Sequence, residues 1–157
     1  MAAFAQEMEL LSRQLSQAHR AAIQAELLAA GLEEVNHPML VSLLQCAEED
    51  PAYPCQAQRD LAQQLHVSPA AVANALKGLE RSGCIRREPW QDDARRNRVL
   101  LTEKGRAAVA GCREAFRRVS QTMLHGFSPE EQSLLLSFER RMLQNLTRSA
   151  SNNKKED

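Results

Sequence analysis

Apolar residues recur every three or four positions along most of this chain, a spacing that predicts amphipathic helices separated by short polar breaks. The stretch from Gln58 to Arg106 differs, because its second half changes to the alternation typical of strands. Its first half predicts two short helices divided at Ser68-Pro69, where serine favours the N-cap and proline the first helical position. His66 is expected to take the left-handed conformation in the turn between them. The pattern therefore predicts helix, turn, helix and a two-stranded hairpin.

The second of these helices is predicted over Pro69 to Arg81, with an apolar face of Val72, Leu76 and Leu79. The other face is small at its start and then polar, and consists of Ala70, Ala71, Asn74, Lys77 and Arg81. Such a face suits a major groove, because asparagine pairs with adenine, alanine touches a thymine methyl and lysine meets guanine or phosphate. An ordinary solvated helix face would have the same composition, so the helix alone does not decide between the two interpretations.

The hairpin favours nucleic acid. Cys84 to Glu88 and Arg98 to Leu101 alternate as paired strands, with the polar segment QDDARRN between them. The chain as a whole is neutral, yet the region from Arg81 to Arg106 has eight basic residues against four acidic ones. A basic hairpin beside a helix of groove size suits phosphate neutralisation and insertion of arginine into a minor groove.

Several motifs occur together in this region: L-A-x-x-L-x-V-S from Leu61 to Ser68, L-E-x-x-G from Leu79 to Gly83, D-x-R from Asp93 to Arg95, and V-x-L-T-x-K-G from Val99 to Gly105. In their order and spacing they resemble the MarR family of bacterial winged helix-turn-helix transcription regulators. The resemblance implies that Arg95 enters the minor groove and that Asp93 positions it through an ion pair. The sequence departs from the family at Asn74 and around Lys77-Gly78, so it does not predict the operator.

The expected fold is mostly α with a small β-hairpin: a winged helix-turn-helix plus terminal dimerisation helices. Four regions are predicted: an N-terminal dimerisation helix (1–34), the winged helix-turn-helix (35–106), C-terminal dimerisation helices (107–148) and a disordered tail (149–157). A heptad-like seam from Phe4 to Ala25 favours a dimer contact, although packing within one protomer is the alternative. Ser128 to Glu131 predicts a capping box at the last helix, whose Leu135, Phe138, Met142 and Leu146 are expected to face inward.

Cysteines, histidines and the N-terminus add little further chemistry. Cys84 and Cys112 occupy apolar positions, whereas Cys55 is placed at a predicted helix N-terminus, where a thiolate is stabilised; it is a candidate redox residue, with an inert thiol as the alternative. The four histidines lack a metal-ligand spacing, so neither a metal nor a cofactor is expected. We expect no signal peptide, no membrane segment and a cytoplasmic protein.

The leading hypothesis is a homodimeric DNA-binding regulator that acts as a repressor on double-stranded DNA with a pseudo-palindromic operator, and is released by a small-molecule effector or oxidation. The residues expected to contact DNA are Ser68, Ala70, Ala71, Asn74, Lys77, Arg81, Asp93, Arg95, Arg96 and Arg98. The alternative is a winged helix used for protein–protein contact without DNA binding. An enzyme is not expected, because no catalytic motif is present.

Overall fold

The computed structural model describes residues 1–50, 52, 57–90 and 93–153, with side chains throughout these ranges except at 90, 93–97 and 149–153. The chain is mostly helical and carries one antiparallel two-stranded hairpin, as predicted. Its elements in order are α1 (Ala2–Ala29), α2 (Pro38–Glu49), α3 (Gln58–Leu65), α4 (Pro69–Arg81), β1 (Ile85–Trp90), β2 (Asp93–Leu101), α5 (Glu103–Met123) and α6 (Pro129–Asn153). It divides within α5 into two compact units, up to Val119 and from Ser120 onwards, each described by itself below.

The helix-turn-helix forms where the sequence predicts it. Residue His66 has φ 50°, the left-handed conformation that ends α3. The Ser68 hydroxyl then caps α4 by accepting the Ala71 N–H at 3.1 Å, with Pro69 as the first helical residue. The helix α4 ends at Arg81, and Gly83 follows with φ +75°. These local signals decide both ends of α4.

The hairpin of β1 and β2, which we call the wing, pairs Ile85 with Leu101 and continues in register to Pro89 opposite Asn97. Ile85, Val99 and Leu101 are buried, as predicted. The predicted connection QDDARRN is longer than the observed one, because β2 begins at Asp93. Strand pairing uses backbone groups and needs no apolar side chains on a solvated ribbon, so the polarity of this segment did not mark the end of the strand. The register shifts between Pro89 and Trp90.

The core of the first unit lies under α4 and the wing. Its most completely buried large side chains are Val41, Leu44, Leu61, Val72, Leu76, Leu79 and Leu101. Helix α5 adds Val109, Cys112 and Val119, while α1 contributes Ile23 and Leu27 near its C-terminus. The first part of α1 is exposed in the single chain, including Phe4 at 71% and Leu15 at 54%. The predicted seam is therefore present but uncovered in one protomer, and its dimer role stays a prediction.

The second unit begins with the C-terminal turn of α5, which closes at Gly126 with φ +86°. The predicted capping box of α6 is confirmed: the Ser128 N–H donates to the Glu131 carboxylate at 2.8 Å, and the Glu131 N–H donates to the Ser128 hydroxyl at 3.2 Å. In the part of the chain that the structure describes, no helix is long and apolar enough to cross a membrane.

Two features of α6 differ in the single chain from what the sequence predicts. In the single chain Phe138, Met142 and Leu146 are 46%, 42% and 72% exposed and Leu135 is half-buried, so the covering of this stripe in a dimer stays a prediction. The helix also continues to Asn153, although a disordered tail was expected from residue 149. Residues 149–153 contain neither proline nor glycine to end the helix, and residues 154–157 lie outside the described part.

Candidate nucleic-acid interface

Helix α4 presents a small and polar face to solvent while its other face is locked into the core. Val72, Leu76 and Leu79 have at most 1% of their surface exposed. The exposed residues of the helix include all those predicted to contact DNA: Ala70, Ala71, Asn74, Lys77 and Arg81. The helix is thereby packed into the core on one side and accessible on the other.

The N-terminus of α4 is held by one contact that the sequence did not predict. The Gln58 side-chain amide at the start of α3 donates to the Pro69 carbonyl at 3.2 Å. Ser68 itself is exposed, and its oxygen accepts the capping bond, so its O–H can still donate outward. A helix N-terminus with a free hydroxyl donor is suited to hold a phosphate oxygen. No sequence motif predicts the contact between Gln58 and Pro69, because the two residues belong to different helices.

The wing is described at its base. Arg98 is exposed and its backbone forms an isolated antiparallel bridge with Ala57, so a third backbone segment supports β2. Asp93, Arg95 and Arg96 lie on β2, but their side chains are outside the described part of the chain. The ion pair predicted between Asp93 and Arg95 therefore stays a prediction.

Of the six basic residues between Arg81 and Arg106 whose side chains the structure describes, four form ion pairs with carboxylates. The pairs are Arg86–Glu88 at 2.9 Å, Arg87–Glu80 at 3.3 Å, Lys104–Glu34, and Arg106–Glu48 at 2.8 Å. Hydrogen bonding to Glu34 raises the pKa of Lys104, and the same bond lowers the pKa of Glu34. These four cations therefore form ion pairs within the protein.

Three accessible cations lie on α4 and at the base of the wing. Among the described side chains, Lys77, Arg81 and Arg98 are exposed and pair with none of the described carboxylates. Among the described residues, the Arg81 guanidinium donates a hydrogen bond to the Lys77 carbonyl alone, at 3.3 Å. A backbone carbonyl does not neutralise the charge, so all three positive charges are available to a polyanion.

A cleft of about 790 Å³ lies between α1, the segment before α2, and α5, all within the first unit. We call it the α1–α5 cleft. Its apolar lining includes Ile23, Leu27 and Phe116, and its polar lining includes His19, Arg20 and His37. Partial burial lowers the pKa of His37 below its ordinary value. The arrangement joins an apolar floor to cationic and hydrogen-bonding groups.

The thiols divide into buried and accessible ones. Cys84 and Cys112 are completely buried, as predicted, and burial raises the pKa of Cys112 to about 11. Cys46 is half-buried, with its sulfur 3.9 Å from an Arg113 nitrogen. The candidate redox residue Cys55 lies outside the described residues. Among those that are described, no three histidine, cysteine or acidic side chains cluster as metal ligands would.

The helix-turn-helix, the wing and the basic surface place this chain in the winged helix-turn-helix class. Residues 38–96 match the model of the MarR family. The chain is 33% identical over 90 residues to a relative described as an uncharacterised HTH-type transcriptional regulator, YdgJ of Bacillus subtilis (strain 168). That match spans 57% of this chain and only 55% of the relative.

Solved structures agree over a larger share of the chain. The Staphylococcus aureus MepR–DNA complex matches with a TM-score of 0.71 and 25% identity, over 87% of this chain and 94% of that one. The crystal structure of MarR matches with a TM-score of 0.65 and 26% identity, over 92% of this chain and 93% of that one. In the residues that match the family model and in its fold, the chain is similar to regulators of the MarR family.

Proposed function

We propose that this protein is a homodimeric, sequence-specific DNA-binding transcription regulator, and that it represses transcription until a small ligand or oxidation releases it. The observation that carries the proposal is the accessible face of α4, where Asn74 and Lys77 stand exposed beside the basic wing, whose Arg98 is exposed at its base. The likeness to MepR, which was solved with DNA, supports it.

Each group has a role that its chemistry suits. Asn74 and Lys77 face base edges in the major groove, and Ala70 and Ala71 are small enough for thymine methyl groups to contact them. Ser68 and the N-terminus of α4 hold a phosphate. Arg81 and the wing residues Arg95, Arg96 and Arg98 neutralise the backbone or enter the minor groove, with Asp93 orienting Arg95.

The proposal requires two copies of the chain. Large apolar side chains are exposed on α1 and on α6, among them Phe4, Leu11, Phe138 and Leu146. Exposed apolar surface of this extent marks an interaction site, and a second copy of the chain would cover it. Two α4 helices would then enter successive major grooves roughly 34–36 Å apart and read a pseudo-palindromic operator.

The α1–α5 cleft is the site we propose for a small effector. An organic acid with an apolar body suits it, because Arg20 offers positive charge and the two histidines offer hydrogen bonds above an apolar floor, with Glu33 also in the lining. A ligand that binds better to dimers with the wrong spacing of α4 would relieve repression by a population shift. Oxidation at Cys55 is the second route to release.

The test is fluorescence anisotropy with DNA from just upstream of the gene, a scrambled duplex and a series of salt concentrations. We expect selective binding that weakens steeply with salt. The variant Arg95→Ala should bind more weakly with a smaller salt slope, whereas Arg113→Ala, a matched loss of charge on α5, should resemble the wild type. An unchanged slope in Arg95→Ala would refute the role of Arg95. Selection of bound genomic fragments would find an operator located elsewhere.

The second candidate is a winged helix that contacts another protein. It predicts affinity for neither duplex, with the exposed face of Ala70, Asn74 and Lys77 acting as a peptide surface. The accumulation of free cations on α4 and the wing favours DNA over this alternative. Equal and negligible binding to both duplexes and to the genomic pool would favour the alternative.

A further inference from the structure

Glu48, in the last turn of α2, receives hydrogen bonds from two other elements. Its carboxylate accepts Nε of Arg106 at 2.8 Å and Nη2 at 3.1 Å, a two-point contact with α5. The same carboxylate accepts the backbone N–H of Leu101, in β2, at 3.1 Å. Only 18% of the Glu48 side chain is exposed, and two-point contacts of this kind combine strength with a defined orientation.

The contact falls on the edge of β2 that faces away from β1. The N–H of Thr102 bonds to the Cys84 carbonyl at 3.0 Å, on the side of the preceding strand. Successive backbone groups point to alternate edges, so the N–H of Leu101 points to the opposite edge, where Glu48 lies. The bridge between Ala57 and Arg98 also supports β2 outside its pairing with β1. The base of the wing is thus held at Arg98 and at Leu101 in addition to its own hairpin.

We propose that Glu48 is a positioning residue for the wing, setting the angle at which the arginines of β2 meet DNA. The inference rests on the proposed DNA-binding function. From Leu101 to Arg95 a strand extends about 20 Å at ~3.3 Å per residue, so a rotation of about 10° at the base moves the tip by roughly 3.5 Å. That displacement is larger than the spread of hydrogen-bond lengths, so a loosened base would lose the contacts of the tip.

The decisive comparison is Glu48→Gln against Glu49→Gln. Both remove one negative charge from the end of α2, but Glu49 is exposed and pairs with Arg113 at 3.6 Å instead of holding the wing. In the anisotropy assay we expect Glu48→Gln to bind its operator about tenfold more weakly, because the charge-assisted contact between residue 48 and Arg106 is lost. The salt slope should also be smaller, because a displaced wing makes fewer phosphate contacts. Glu49→Gln should bind as the wild type does or slightly more tightly.

Trp90, the only tryptophan, ends β1 and reports on the wing without DNA. Time-resolved anisotropy of its fluorescence should reveal added nanosecond motion in Glu48→Gln and not in Glu49→Gln. Arg106→Lys, which keeps the charge but not the two-point geometry, should give an intermediate effect in both assays. It also serves as the test if Glu48→Gln does not fold.

Equal affinities and equal Trp90 motion in Glu48→Gln and Glu49→Gln would overturn the proposal. So would a Glu48→Gln protein that loses thermal stability but keeps its affinity and salt slope, since that would make the contact merely structural. If the wild type binds no DNA, the proposed function fails separately. Unchanged Trp90 motion in Glu48→Gln would then overturn the anchoring by Glu48, and increased motion would support it.

Discussion

Replacing Gly105 with alanine is expected to destabilise the protein strongly, although alanine favours helices. Gly105 is in the first turn of α5, directly after the wing. A Cβ atom at this position would lie 2.0 Å from the carbonyl oxygen of Cys84, 3.1 Å from its carbonyl carbon and 3.0 Å from a methyl group of Leu101. The closest obstacle is backbone, so a rotamer change cannot relieve it. Either α5 or the start of β1 must move.

The magnitude follows from three contributions. Overpacking of a well-packed site costs about 1–3 kcal/mol. The displaced Cys84 carbonyl also accepts the Thr102 N–H at 3.0 Å, and weakening this bond costs about 1 kcal/mol more. Against these, alanine gains about 1 kcal/mol over glycine in a helix. We therefore expect Gly105→Ala to lower the free energy of unfolding by about 1–3 kcal/mol, with the larger values favoured because backbone must shift.

The assay is urea unfolding followed by circular dichroism, at one protein concentration because association alters the apparent stability. Gly78→Ala is the matched control: it lies within α4, and an added Cβ there meets nothing within 4 Å. That variant should be as stable as the wild type or more stable by up to about 1 kcal/mol. A Gly105→Ala protein as stable as Gly78→Ala would refute the packing argument.

Three further predictions concern thiols and α4. The pKa of the Cys112 thiol is raised from 9.0 to about 11, so the unfolded chain releases this proton at lower pH than the folded protein. The free energy of unfolding should therefore fall by roughly 2–3 kcal/mol as pH rises between these values. The same dependence of the free energy of unfolding on pH in Cys112→Ala would contradict this. In the native protein at pH 8, a thiol reagent should leave Cys84 and Cys112 unmodified until denaturant is added, and fast labelling of both would show that the core opens. In selection of bound DNA, Asn74→Ala should relax the preference at one base position, whereas Arg81→Ala should weaken binding to all sequences and reduce the salt slope by about one; the reverse would exchange their roles.

The parts of the fold that the sequence predicted well are those decided by neighbouring residues. The serine hydroxyl at Ser68 caps its own helix, His66 takes the left-handed turn, and Gly83 ends α4, each within a few positions of the signal. The buried face of α4 likewise follows from helical spacing alone. The predicted ends of elements differ from the observed ones where a strand or helix continues through polar residues, as at Asp93 in the wing and beyond residue 149 in α6.

The electrostatic character of the interface needed the structure, because charge along the chain does not reveal which charges are paired. Arg106 and Lys104 count toward a basic wing in the sequence, yet their carboxylate partners Glu48 and Glu34 come from the acidic N-terminal part. No local pattern links residues so far apart. Because of this pairing, the basic surface that we assign to DNA consists of the exposed face of α4 and the strand β2. The paired cations stabilise the fold around that surface. The acidic excess before residue 53 is therefore partly the counterpart of the cations at the start of α5. Removing Glu48 from it should weaken DNA binding through wing geometry, even though the protein becomes more basic.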